Sequence, residues 1–176
     1  MSYLVTICVV GAQITGRHTL ARALAHRLLE SAEEARDESL ERCLLAFTGS
    51  VGGRRVRIQC ALGAAFSPSR TFEEMLGRAD VVLLVVASPL TSVDIPRQWT
   101  AVEEGIAAGV RTGRCFPTIP WIVVNTRADL GLLAEDQLPP SVRSLPRLHT
   151  DARTSSRVDS VVGLVRRTLD LHPVKQ

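Results

Sequence analysis

Apolar runs and amphipathic stripes alternate along the chain. Tyr3 to Val10 is a continuous apolar run, the pattern of a strand buried on both faces. Thr19 to Glu30 predicts a helix, with Leu20, Leu24 and Leu28 on one stripe and Ala21 and Ala25 beside it. Ser31 to Glu41 is strongly acidic and reads as an exposed helix end or a mobile loop. Cys43 to Phe47 is a short strand, and Gly52-Gly53 marks a hairpin turn. Val56, Ile58 and Cys60 alternate with polar residues to make the second arm.

After the loop "ALGAAFSPS", Thr71 opens a short helix, with Glu74 three residues on as a capping box. Val81 to Ala87 is the clearest central strand. Pro96 opens a helix bearing Trp99, Val102, Ile106 and Val110 at helical spacing. Trp121 to Val124 is another buried strand, and Leu130 to Pro146 is rich in loop residues. The last helix carries Val158, Val161, Val162, Val165 and Leu169 on one stripe. Strands alternating with helices, apart from one early hairpin, predict an α/β domain. It has a mainly parallel sheet, helices on both faces, and a single unit over residues 1–176.

Composition narrows the function classes. The net charge of +3 comes from scattered basic residues without interleaved aromatics, which argues against nucleic acid. Lys175 is the only lysine, so any internal cation must be arginine. Cys8, Cys43, Cys60 and Cys115 lack CxxC spacing, which disfavours zinc; Cys8 and Cys60 read as buried free thiols. A reduced cytoplasmic compartment fits, with no expected targeting segment, lipid anchor or membrane span. His18, His26, His149 and His172 are too dispersed to form a ligand pattern.

The stretch "VVGAQITGRHTLARAL" has the outline of a phosphate-binding loop: a strand into Gly11, four residues, Gly16, then a helix. Arg17 and His18 stand where Lys and Ser or Thr are usual. With "IQCALGAAF", "FSPSRTFEEMLGRADVVLLVVAS", "IVVNTRADL" and "HTDARTSSRVDSVVGLV" following in order, the chain resembles Ras-like small GTPases over nearly its full length. Its closest flavour is the bacterial MglA-like branch of polarity-switch GTPases.

The resemblance implies a Ras-like P-loop NTPase fold and assigns candidate nucleotide-binding residues. Gly11, Gly16, Arg17, His18 and Thr19 fall in the phosphate loop. Thr126, Arg127 and Asp129 fall in the guanine-reading motif, and Ala152 and Arg153 in the SAK-type triplet. The residues also depart from the family. Arg17 is forked and planar where the loop wants a point-charge ammonium. His18 replaces a magnesium-holding hydroxyl, and Thr19 would serve only if the loop shifted by one residue.

Further departures follow downstream. Cys60 stands where an Asp is expected, and Ala64 stands where a water-positioning Gln is expected. No Thr lies between Leu20 and Phe47, and Arg36 and Arg42 are candidate intrinsic Arg fingers but read as surface charges. No catalytic residue, metal site or cofactor is therefore expected, and GTP hydrolysis is disfavoured. These departures read as a pseudoGTPase acting through protein contacts, and the resemblance suggests a Roadblock/LC7-type or polarity-complex partner. The competing reading is a guanine-nucleotide switch binding GTP or GDP, with Arg17 in place of Lys and little dependence on magnesium. Under the bland readings, the loop is a strand-turn-helix corner without ligand and Asp129 is a helix N-cap.

Overall fold

A computed structural model of the chain describes residues 3–12, 15–35, 44–61, 70–87, 94–127, 134–150 and 157–171. Strand β1 (Val5–Gly11) is buried at every position, as its apolar run requires, and feeds helix α1 (Arg17–Leu28). A short strand β2 (Glu33–Ala35) precedes the hairpin of β3 (Leu44–Val51) and β4 (Arg54–Ala61). Gly52 and Gly53 turn that hairpin at φ 57° and 75°, the left-handed pair a tight two-residue turn demands. Then follow α2 (Arg70–Gly77), β5 (Val81–Val86), α3 (Asp94–Arg111) and β6 (Trp121–Asn125). A 3-10 turn at Glu135–Gln137, α4 (Pro140–Arg143), β7 (Arg147–His149) and α5 (Val158–Thr168) complete the order.

The strands form one seven-stranded sheet in the order β2-β3-β4-β1-β5-β6-β7. Pairings β1·β4, β1·β5, β5·β6 and β6·β7 are parallel, while β2·β3 and β3·β4 are antiparallel. The mainly parallel α/β architecture is thus the one the alternating pattern predicts. Two apolar layers flank the sheet. One joins Leu20, Leu24 and Leu28 of α1 and Val158, Val161 and Val165 of α5 to the inward side chains of β1, β3 and β4. The other joins Phe72, Met75 and Leu76 of α2 and Val102 of α3 to Cys8, Val10, Val82 and Leu84. Each fully buried leucine of the α1 stripe contributes about 1.5–3 kcal/mol.

Several expectations are corrected. The acidic stretch from Ser31 is neither helix end nor loop throughout: Glu33–Ala35 pairs with β3 as an edge strand. Edge pairing needs only backbone groups, so charged side chains do not oppose it. Arg147–His149 is likewise a strand, immediately after the Pro-rich stretch that reads as loop. Val110 shares the helical spacing of Val102 but is 62% exposed, because the buried face of α3 there runs through Ala108 and Gly109, which meets Trp121 of β6, and Val110 lies to one side of it. Helix α2 begins at Arg70, one residue before Thr71, and α3 begins at Asp94, with Pro96 in its first turn.

Candidate functional site

Parallel pairing brings the carboxyl ends of β1, β5 and β6 to one edge, where α/β sheets bind ligands. Gly11 pairs with Val85, and Val86 pairs with Asn125, so the loops after these strands are neighbours. Among the described residues, eight polar or charged side chains are buried. Six of them, Thr15, Arg17, Gln98, Asn125, Thr126 and Thr150, gather at this edge, which marks it as a built polar centre.

Two glycines shape the loop. A Cβ on Gly11 would lie 2.5 Å from the Val85 carbonyl oxygen and 2.9 Å from Thr15 Oγ1, so only glycine lets β1 lie this close. Gly16 sits at φ 75°, ψ 20° as the N-cap of α1, a left-handed conformation L side chains resist. It supplies no side-chain cap, and the helix starts at once with Leu20 N–H donating to the Gly16 carbonyl at 3.0 Å.

The loop's carbonyls are held from within. Thr15 donates twice to the Ala12 carbonyl, from its N–H at 3.1 Å and its hydroxyl at 2.7 Å. Thr126 Oγ1 donates to the Thr15 carbonyl, tying the phosphate-type loop to the loop after β6. Arg17 is the first residue of α1 and is wholly buried; its NH1 donates to the Gly11 carbonyl at 2.7 Å. Burial draws the guanidinium below its ordinary value, while the neighbouring Cys60 opposes that pull; Arg17 stays a cation. Burial pushes the Cys60 thiol up to about 12 against the opposing pull of Arg17.

A second set of bonds fixes the surrounding strands. Gln98 of α3 clamps the end of β5: its Oε1 accepts from Ala87 N–H at 2.9 Å, and its Nε2 donates to the Ala87 carbonyl at 3.4 Å. Asn125 Oδ1 accepts from Arg127 N–H at 3.2 Å, and its carbonyl accepts from Thr150 N–H at 2.7 Å. Thr126 N–H donates to Val86 at 3.0 Å.

The structure brings Gly11, Gly16, Arg17 and Thr126 together. His18 and Arg127 are half-buried beside them, and Thr19 faces solvent on α1. Asp129, Ala152 and Arg153 lie outside the described residues, as do Ala64, Arg36 and Arg42. Reading the motif alone overlooks Gln98, Asn125 and Thr150. Asn125 closes an apolar run with a polar residue, a signal visible in the sequence; Gln98 and Thr150 carry no such mark, since only the fold brings them to this edge.

Magnesium does not fit the residues described here. The two that occupy its expected positions offer an imidazole and a buried neutral thiol, whereas Mg²⁺ requires oxygen. Among the described residues, no group of three His, Cys, Asp or Glu side chains could hold a metal ion. Among them, too, no helix is long and apolar enough to cross a membrane.

No protein-family profile matches the chain, and no curated protein matches it in sequence. Its fold is similar to that of solved G domains. The G domain of the FeoB iron transporter of T. maritima superposes with a TM-score of 0.61 at 15% identity, over 95% of this chain and 99% of that one. The apo form of translation elongation factor SelB from Methanococcus maripaludis superposes at 0.58 with 16% identity, over 96% of this chain. The chain spans 34% of the elongation factor's length. At these identities the likeness is one of fold alone, a mainly parallel α/β fold shared with a G domain.

Proposed function

We propose that this chain is a degenerate small-GTPase-like domain of the MglA-like kind, a pseudoGTPase. It serves as a protein-binding regulatory module in a bacterial polarity or signalling complex in the cytoplasm. One observation carries this reading: the cation of the phosphate-type loop is turned inward. Arg17 is fully buried and donates to the loop's own Gly11 carbonyl beside Cys60, so the protein itself engages the cation that a phosphate would need. Hydrolysis in this fold needs a cradle cation, a metal held through oxygen and a positioned water. His18 and Cys60 cannot hold the metal, and Ala64 cannot position the water. Function then rests on the surface the fold presents, and the MglA resemblance points to a Roadblock-type partner.

The test is direct. Purified protein is denatured and any released nucleotide identified, and calorimetry is run with GTP, GDP and ATP in the presence of magnesium. Nothing released and no binding is the expected result; micromolar GTP binding overturns the reading.

A specific observation favours the second reading, a guanine-nucleotide switch. The Thr126 to Thr15 bond holds the base-side loop against the phosphate-type loop, the arrangement a nucleotide spanning both would need. Under that reading, GTP and GDP bind with little help from magnesium. Asp129→Asn then weakens both and relaxes selectivity toward xanthine nucleotides. Unchanged affinity in Asp129→Asn would exclude guanine recognition at that residue. Arg17→Lys with His18→Thr is the complementary restoration.

A further inference from the structure

The half of the sheet formed by β2, β3 and β4 has two unlike faces. On one, Phe47, Val56 and Ile58 point into the core beneath α1 and α5. Strand alternation puts Thr48, Arg55, Arg57 and Gln59 on the other. Glu33 joins them, because its neighbour Glu34 pairs with Arg22 of α1 on the core side at 3.5 Å. Pairing sets Glu33 opposite Thr48, and Thr48 opposite Arg57, so three strands contribute one polar row: Glu33, Thr48, Arg57. A cleft of about 270 Å³ opens beside it, lined by Leu4, Glu33, Thr48, Ser50 and Arg55.

The ends of this row carry opposite charges that do not meet. Two strand spacings separate them by ~10 Å, beyond ion-pair reach. Among the described residues, Glu33, Arg55 and Arg57 have no ion-pair partner. Arg57 Nε is buried and makes no hydrogen bond, and neither does Gln59 Oε1 in the next row.

We propose that this face is a self-association surface whose occupant is a second copy of the chain. The row is self-complementary about Thr48. A two-fold axis through Thr48 sets Glu33 of each copy against Arg57 of the other and Thr48 against its own counterpart, with Arg55 adding to the basic end. A two-fold interface requires this property of one patch: if residue i meets j, then j meets i. A foreign acidic partner would satisfy Arg55 and Arg57 but leave Glu33 facing like charge. The surface is separate from the loops at the carboxyl edge, so the proposal does not depend on whether nucleotide binds.

Sedimentation of the full chain over a concentration series at low salt tests it. A concentration-dependent dimer is expected, dissociating in about 1 M salt, where the screening length falls to about 3 Å. Glu33→Arg and Arg57→Glu should each be monomeric, and their equimolar mixture should recover a heterodimer. A wild-type chain that stays monomeric at every concentration overturns the proposal, whether or not the face takes a foreign partner. So does a dimer that persists in either variant, or a mixture that stays monomeric when circular dichroism shows both variants folded. Should Arg57→Glu fail to fold, the half-buried Thr48 carries the test. Thr48→Arg sets like charges against each other on the axis: a folded monomer supports the proposal, and a folded dimer overturns it.

Discussion

Thr126 Oγ1 donates to the carbonyl of Thr15, joining two loops 111 residues apart in the chain. Both residues are buried, Thr15 completely and Thr126 to 1% exposure. Replacing Thr126 by Val keeps the volume and leaves the Thr15 carbonyl without this donor. Loss of the bond in the dry edge of the sheet should cost about 1–3 kcal/mol, read as a lower urea midpoint at unchanged m-value.

Gly11 and Gly16 should fail differently when a methyl is added. At Gly11 the Cβ meets the Val85 carbonyl oxygen at 2.5 Å, and backbone cannot give way without breaking the β1·β5 ladder. Gly16 has room, its nearest contact being Thr126 Oγ1 at 3.7 Å, but its φ of 75° strains any L side chain. Gly16→Ala should cost about 1–2 kcal/mol, with Gly16→Asn recovering part of it. Gly11→Ala should cost more. Equal losses in parallel denaturation curves would contradict the close approach at Gly11.

Arg17 is a structural cation here. Arg17→Met retains much of the buried volume but removes the donor to the Gly11 carbonyl. A charge-assisted bond of this kind is worth about 1.5–3 kcal/mol, and a loss in that range is the expected result of chemical denaturation. A variant as stable as wild type would show that the guanidinium bond to the Gly11 carbonyl contributes nothing to stability.

Stability should fall in alkali through the buried thiols. Burial raises Cys60 from its ordinary 9.0 to about 12 and raises Cys8 further. A thiol whose folded value exceeds its unfolded value contributes stability that is complete below the unfolded value. That contribution is lost as pH climbs from 9.0 toward the folded value, because only the unfolded chain releases the proton. Each thiol should contribute a decline of about 1.4 kcal/mol per pH unit above that point. Urea midpoints measured on either side of pH 9 should show a drop that Cys8→Ala with Cys60→Ala flattens. An identical slope in the double variant would place the alkaline sensitivity elsewhere.

Legibility along the chain followed how local the governing interaction is. Strands β1, β5 and β6 were plain in the apolar runs, because a strand buried on both faces must be apolar at every position. Edge strands β2 and β7 were not, since one side of an edge strand stays wet and its residues are chosen for solubility. At the site, the spacing of Gly11, Gly16 and Thr126 was readable, while the inward turn of Arg17 was not. A buried arginine and an exposed one leave the same letter in the sequence.

The sequence by itself determined the α/β alternation, the glycine corner after β1 and the absence of any lysine before Lys175, because these depend on local periodicity, backbone freedom and composition. Only the tertiary structure decided which polar groups meet. Arg17 finds Gly11 and Cys60, Thr126 finds Thr15, Gln98 finds Ala87, and Glu33 and Arg57 share one row without touching. Those partners come from strands distant in sequence, and their pairing follows from sheet order and register, which no single segment encodes.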